Sequence, residues 1–496
     1  MSIEGLRKAG GLALQAQAIL RAAKPPQKYV IDFSSPNVAK QFHIGNLRST
    51  IIGRYVDQVH RTMGEDVCAL NYLGDWGTQF ALIASYWPQN RPSDAFWTTV
   101  SDDEKVKMIQ QCYVVANKLL KTEGDFRLKV RDTYKKMEDF IVEKDMEDEV
   151  MLFWNDMRGL SERHLKKFYR QLGIQFDQLF FESEEVAGAR KIVEQLIESK
   201  KAVRRVDGLW VVETGKQNPD GTDAYCIVRK SDDTTLYLTR DVASIIRRDA
   251  LFKADKYLYV VDRGQRNHFK DIAYILEQIG RADLADKIEH IPFGRVHGLS
   301  TRHGKTEAVA DILTRGSELA LQFLKASPTI KVKDEDLQKI SGDLALDTII
   351  VNDLKRARLS EYEFSFKNAF ALNQNNALLL QEKHSRLCSL EKKNAELMPH
   401  LDKDNKLPED DVAKELIKHL EELPRAIMFS MQKLEPCQLT IPLIHLAQLS
   451  GKVMAQLRVK DEPIDVAVPR LRLLSTARQA LADGMSLLGI SPKVEM

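Results

Sequence analysis

The residues best equipped for chemistry lie close together near the start of the chain. Ser34-Ser35-Pro36-Asn37-Val38-Ala39-Lys40-Gln41-Phe42-His43-Ile44-Gly45-Asn46-Leu47-Arg48-Ser49-Thr50 sets polar side chains where a strand passes into a helix. A helix N-terminus presents unpaired N–H groups and the positive end of the helix dipole, which favour anions, phosphate above all. His43 and Asn46 are three apart, so both point off the first turn on one side. Gly45 between them removes a side chain and lets a flat ring approach the backbone. The same pair also fits a capped helix end, and spacing alone does not choose. Further along, Tyr237 and Asp241 are four apart in a helical pattern, so a ring and a carboxylate share one face. They can converge on a ligand; otherwise Asp241 pairs with Arg240 or Arg247 and Tyr237 is a core aromatic.

The elements that must position these groups are legible in outline. Lys28 to Ser34 (KYVIDFS) reads as a buried strand, Ser35-Pro36-Asn37 breaks it, and a helical pattern runs from Gly45 to a C′ glycine, Gly64. Strand, loop and helix in that order open a parallel α/β sheet. Residues from Ser101 to about Arg170 are charged, poor in glycine and helical in period, which suggests an inserted helical segment. Strand patterns return at Gly208–Val212, Ala224–Val228 and Tyr257–Val261, so the sheet is expected to resume and run to about residue 300. From about 335 onward the pattern is helical, with Pro463 and Pro469 bracketing a loop before a last helix, Leu471–Leu488.

Composition narrows the class. The chain has 496 residues, enough for about three domains, with 44% hydrophobic and 29% charged residues. That excludes a disordered or collagen-like chain, and no apolar run approaches the roughly 18 residues of a membrane span. Lys and Arg number 73 against 71 acids, a net charge of +2, which neither demands nor forbids a nucleic-acid partner. The five cysteines are far apart without a CxxC pair, so neither a zinc site nor a disulfide framework is expected. Met1 to Lys24 carries Arg7, Lys8, Arg21 and Lys24 against Glu4, compatible with a transit leader or with a short N-terminal helix.

The 34–50 stretch resembles the HIGH region of class I aminoacyl-tRNA synthetases, in the extended form of arginyl-tRNA synthetases. Asn71-Tyr72-Leu73-Gly74-Asp75-Trp76-Gly77-Thr78-Gln79-Phe80, Leu236-Tyr237-Leu238-Thr239-Arg240-Asp241 and Val261-Asp262-Arg263-Gly264-Gln265-Arg266-Asn267-His268-Phe269 resemble three further blocks of that family. The ending from Leu487-Leu488-Gly489-Ile490-Ser491-Pro492 to Met496 is similar to its C-terminal helix and terminal methionine. One block would say little; five in family order are specific.

The resemblance implies a Rossmann-type parallel-sheet catalytic domain at 28–334, with a helical insertion at about 90–170. An all-α anticodon-binding bundle would follow at 335–496, and residues 1–27 would be a leader or short helix. It implies arginine activation with ATP and Mg²⁺, then transfer to tRNA-Arg, by a monomer without membrane attachment, in the mitochondrial matrix in preference to the cytoplasm. Asp241 and Tyr237 would hold the guanidinium, which is planar, permanently charged and best met by a carboxylate with polar neighbours. Asp32, Ser35, Asn37 and Gln265 would complete the arginine pocket. His43, Gly45, Asn46 and His268 would meet ATP, His43 and Asn46 acting catalytically with Arg302 and Lys305 of the loop Gly298–Thr306. Gln381, His384 and Arg386 would lie near the tRNA end. No resident metal site is implied.

Departures from the family pattern matter too. Asn46 replaces the second HIGH histidine, keeping only a neutral donor, and losing one such charge-stabilising group costs about 10²–10³ in rate. Asp32 stands where the family usually has Glu. Leu379 and Glu382 replace aromatics that would each give a stacking platform of about 1–3 kcal/mol per base. Only about 27 residues precede the first strand, where the family usually has a further domain. These changes motivate an alternative: a synthetase paralogue that binds tRNA or arginine without charging.

Overall fold

The computed structural model describes residues 3–38, 42–298, 308–326, 332–371, 375–403 and 406–496. The chain opens with α1 (Ile3–Lys8), α2 (Leu12–Ala23), β1 (Lys28–Asp32), α3 (Ile44–Thr62) and β2 (Asp66–Leu73). It divides into two compact units: residues 29–42 with 68–290, and residues 1–28 with 43–67 and 291–496.

The first unit is built on a sheet. After β2 come the helices α4 (Thr78–Asn90), α5 (Asp94–Thr99), α6 (Asp102–Thr122), α7 (Gly124–Glu143) and α8 (Glu149–Gln171), an uninterrupted helical run before the next strand. There follow β3 (Gln178–Phe181), α9 (Val186–Glu198), β4 (Ala202–Arg204), β5 (Trp210–Gln217), β6 (Asp223–Arg229), α10 (Tyr237–Phe252), β7 (Lys256–Asp262), α11 (Arg266–Gln278), α12 (Ala282–Ala285) and β8 (Ile288–Phe293). The main sheet has the order β3-β2-β1-β7-β8, with β1 parallel to β7 and β2 parallel to β3. β1 is rich in β-branched and aromatic residues and buries Tyr29 to Asp32, as a strand covered on both faces must. Strand order runs away from β1 on one side through β2 and resumes on the other at β7. Such a reversal leaves a crevice at the carboxyl ends of the strands, where ligands bind in this class of sheet.

The strands around 210 and 225 do not continue the main sheet, contrary to the sequence expectation. β4, β5 and β6 form a separate antiparallel sheet of three strands. The connection explains it. β5 and β6 are joined through a tight turn at Asn218–Thr222, with Gly221 at φ 82°. A turn this short can join only antiparallel neighbours, because a parallel pair needs a crossover of a dozen residues or more.

The second unit is helical. Its later part holds β9 (Val296–His297), α13 (Val309–Ala326), α14 (Asp334–Leu354), β10 (Tyr362–Glu363), α15 (Phe366–Ala369), α16 (Ala377–Lys393), α17 (Asp411–Lys433), α18 (Cys437–Gln456) and α19 (Ile464–Leu487). The last helix starts seven residues earlier than expected, at Ile464 with Pro463 as its cap, and Pro469 lies inside it. A proline this near the N-terminus costs a single backbone hydrogen bond, so the helix absorbs it. The basic N-terminal residues are also built into this unit: Leu6, Leu12, Ala16 and Leu20 are buried, α2 packs on α17 and α19, and the Leu12 amide donates to Asp483 at 2.7 Å.

The HIGH-region helix α3 packs in the same unit, against α14, α17 and α19. Its Leu47, Ile51, Tyr55 and Val59 are buried, and the Tyr55 hydroxyl meets the Ser430 hydroxyl. Arg48 is 1% exposed: it pairs with Asp353 at 3.1 Å and donates to the carbonyls of Gly294 and Ser360. Tyr362 donates to the same oxygen, Asp353 Oδ2, at 2.7 Å. Removing one member of a buried pair strands its partner's charge. Arg48→Leu is therefore expected to cost about 3–5 kcal/mol in urea unfolding; a loss below about 1 kcal/mol would show that the pair contributes little.

Candidate active site

Four of the five strands of the main sheet contribute at or near their carboxyl ends. A cavity of about 300 Å³ is lined by Asp32, Ser35 and Asn37 after β1, Tyr72 and Gly74 at the end of β2, Glu182 after β3, and Tyr259, Val261 and Gln265 around the end of β7. α10 adds Tyr237, Asp241, Ser244, Ile245 and Arg248, which recur at helical spacing on one face, and α11 adds His268, Phe269 and Ile272. Of the arginine-site residues expected from sequence, all six (Asp32, Ser35, Asn37, Tyr237, Asp241, Gln265) line this one cavity.

The turn after β1 is strained. Ser34 and Ser35 both have left-handed backbone, at φ 69° and 35°. Non-glycine residues in such conformations persist only where their surroundings fix them. Here the surroundings do so twice. The Ser34 hydroxyl meets the Tyr169 hydroxyl at 2.8 Å, and Asn71 Nδ2 donates to the same oxygen at 2.9 Å. Ser35 Oγ donates to Asp32 Oδ1 and accepts from the Tyr72 amide at 3.1 Å. Tyr169 comes from α8, so the inserted helices help to shape the cavity.

The three carboxylates lining the cavity differ in their partners. Asp32 is 4% exposed, with Oδ2 at 2.8 Å from Arg248 Nη1 and Oδ1 taken by Ser35. Glu182 pairs with Arg240 at 2.8 Å. Burial pushes both carboxyls above their ordinary range, and the two arginines pull them back. Paired or protonated, neither adds net charge. Asp241 has no internal arginine: Arg240 is spent on Glu182, and Arg247 on Glu184 and Glu185 at 2.8 and 2.7 Å. Its partner is instead His268, with Nε2 at 2.6 Å from Oδ2. The surface pairing that sequence allowed for Asp241 is therefore absent. Arg248 itself lies over the rings of Tyr72 and Tyr259, at 4.8 and 5.5 Å, which offer their faces to its remaining N–H groups. A cavity with one uncompensated acid beside an exposed tyrosine suits a ligand carrying a single cationic end.

A family model for the catalytic domain of class I tRNA synthetases of the arginine type matches residues 12–366. The chain belongs to the class I arginyl-tRNA synthetase family. A second model, the DALR anticodon binding domain, matches residues 380–496. Among curated relatives, a probable mitochondrial arginine--tRNA ligase of Mus musculus is 32% identical over 475 residues, covering 95% of this chain and 79% of the relative. A cytoplasmic arginine--tRNA ligase of Saccharomyces cerevisiae is 30% identical over 95% of this chain and 77% of its own length. The crystal structure of an arginyl-tRNA synthetase from Plasmodium falciparum shares the fold at a TM-score of 0.76 and 22% identity, covering 98% of this chain and 82% of that one.

In this synthetase chain the HIGH residues are first of all a helix cap. His43 is the N-cap of α3; its Nδ1 accepts from the Gly45 amide at 3.1 Å, and Asn46 Oδ1 accepts from the His43 amide at 3.2 Å. A Cβ on Gly45 would come within 3.0 Å of the His43 ring, so the glycine makes room for that ring. The cap uses the oxygen of Asn46 and leaves its NH₂ as the end that can face a phosphate. Arg302 and Lys305 lie outside the described residues.

The residues expected near the tRNA end are placed differently. Gln381 is fully buried: Nε2 donates to Asp347 at 2.8 Å and to the Ser491 carbonyl at 3.0 Å, and Oε1 accepts from the Lys493 amide. His384 Nδ1 donates to the Lys493 carbonyl at 2.9 Å and is likewise buried. Their polar groups hold the C-terminal tail, which removes them from reach of an RNA. Arg386 is exposed and pairs with Glu382 at 3.2 Å.

Sequence reasoning missed Arg248, Glu182, Tyr259 and Tyr169. Arg248 had a signal: it is seven residues after Asp241 on the same face, a charge in a core position. Tyr169 had none, because nothing local ties α8 to the β1 turn. Tyr169→Phe keeps the ring but strands Ser34 and Asn71. It is expected to raise the KM for arginine several-fold and to cost about 1–3 kcal/mol of stability. Steady-state kinetics checks this, and an unchanged KM would detach Tyr169 from the site.

Proposed function

We propose that the chain is an arginine--tRNA ligase that joins arginine to ATP as arginyl-adenylate and passes the arginyl group to the 3′ end of tRNA-Arg. The observation that carries this reading is the single uncompensated carboxylate of the cavity, Asp241, one helical turn from the exposed Tyr237. A guanidinium supplies the missing positive charge and a planar set of donors for the carboxylate and the phenol oxygen. Ser35, Asn37 and Gln265 receive the amino and carboxyl groups of the substrate, which fixes the carboxylate for attack on the α-phosphate. Holding two reactants in place is itself worth many orders of magnitude in rate.

His43 and Asn46 stabilise the phosphates as pyrophosphate departs, from the N-terminus of α3 where dipole and N–H groups already favour anions. Arg302 and Lys305 add cations on the leaving side. Mg²⁺ would come with the nucleotide and would neutralise phosphate charge there. Residues 380–496 read the anticodon, as the matched domain model implies. The chain acts as a monomer. No helix among the described residues is long and apolar enough to cross a membrane. The mitochondrial relatives support the matrix as its compartment, although a cytoplasmic relative is nearly as similar.

Asn46 favours a second reading, a chain that binds without charging. Charging of tRNA-Arg with radiolabelled arginine separates the two. The wild type is expected to charge, Asp241→Ala to lose at least about 10²-fold in kcat/KM, and Asn46→His to speed adenylate formation by up to about 10²-fold. A wild type that binds tRNA but charges only once Asn46→His is made would establish the second reading.

A further inference from the structure

We propose that His268 is a positioning residue for the arginine side chain, setting the carboxylate of Asp241 for the guanidinium, and does not serve the nucleotide. The proposal rests on the arginine reading of the cavity given above. An ionised carboxylate only accepts, so the 2.6 Å contact between His268 Nε2 and Asp241 Oδ2 requires Nε2 to carry the proton. That nitrogen is thereby spent on Asp241 and cannot also donate to a phosphate.

The ring is held as firmly as the bond it makes. The turn between β7 and α11 is closed by Asp262, which caps the 3-10 turn Arg263–Gln265 by accepting from the Gly264 amide at 2.7 Å, and α11 starts at Arg266, two residues before His268. The imidazole lies 4.9 Å from the Tyr237 ring and 5.9 Å from Phe269, which is itself stacked on His290 at 4.5 Å. The side chain of His268 is 12% exposed and that of Asp241 is 26% exposed, so the carboxylate reaches the cavity and the imidazole backs it. One oxygen is fixed by His268 and the other is presented to the ligand. The same ring contact steadies Tyr237, the second guanidinium acceptor. One imidazole thus orients both groups that the side chain of arginine meets.

Without that hold Asp241 rotates about its last bond and must be ordered by the substrate, which lowers affinity for arginine and leaves ATP untouched. A hydrogen bond to a charged group is worth about 1.5–3 kcal/mol, equivalent to roughly 10- to 100-fold in affinity. Two variants separate the hydrogen bond from mere packing. His268→Ala removes it; His268→Gln restores an N–H donor where Nε2 stood.

The experiment is arginine-dependent ATP–pyrophosphate exchange by the full chain with tRNA-Arg present, titrating arginine and ATP in turn. His268→Ala is expected to raise the KM for arginine by about tenfold or more, with the KM for ATP within about twofold. His268→Gln is expected to recover most of the loss. A raised KM for ATP with an unchanged KM for arginine would overturn the proposal and return His268 to the nucleotide. Equal damage by Gln and Ala would reduce it to packing. A wild type silent in exchange would sink the ligase reading instead. Calorimetric binding of arginine alone, to wild type and His268→Ala, then still decides the role of the histidine.

Discussion

The cavity at the strand ends gathers three carboxylates without repelling itself apart, and internal arginines resolve that conflict. Asp32 is buried and Glu182 only 14% exposed in a cavity of about 300 Å³, where unpaired carboxylates would cost several kcal/mol each. Arg248 and Arg240, both supplied by α10, cancel them. The helix that presents Asp241 to the cavity therefore also brings the cations that offset the other two carboxylates, and of the three only Asp241 lacks an arginine partner. The Arg248–Asp32 pair does more than balance charge, since Asp32 also receives the hydroxyl of Ser35 and so fixes the strained turn after β1.

That division of labour casts the short Asp32 in a different light. A glutamate at this position would reach further into the cavity and compete for the ligand directly. With one methylene fewer, the carboxylate stays with Arg248 and Ser35, where it supports the β1 turn.

Much of this was legible in the residues, and what was not has a common cause. Strand β1, its break at Ser35-Pro36-Asn37, the helical insertion and the helical second half follow from local period and punctuation. The six residues expected at the arginine site lie in short blocks whose order is specific, and the structure gathers all six around one cavity. What escaped were relations between distant segments. Arg248 with Asp32, Tyr169 with Ser34, and Gln381 with the tail at Ser491 and Lys493 join residues 135 to over 200 apart in two cases and 110 in the third. Local pattern carries no trace of such pairs. Gln381 shows the risk: a polar residue in the right block was assigned to RNA, while its burial commits it to the C-terminal tail. The β5–β6 strands failed differently, because strand pattern predicts a strand and not its neighbour.

Asn46 is where the two kinds of information meet. By sequence it is a loss, a neutral amide where a histidine is usual. By structure it earns its place as the third residue of a capping box, returning its oxygen to the His43 amide while His43 takes that of Gly45. An N-cap pair of this kind is worth about 1 kcal/mol to the helix. It also fixes the two side chains relative to the N-terminus of α3. Orientation at that end is what phosphate stabilisation needs, because donors aimed in advance cost nothing to reorganise during reaction. The asparagine therefore holds the helix end in order with a neutral amide, where a histidine would bring a ring able to carry charge.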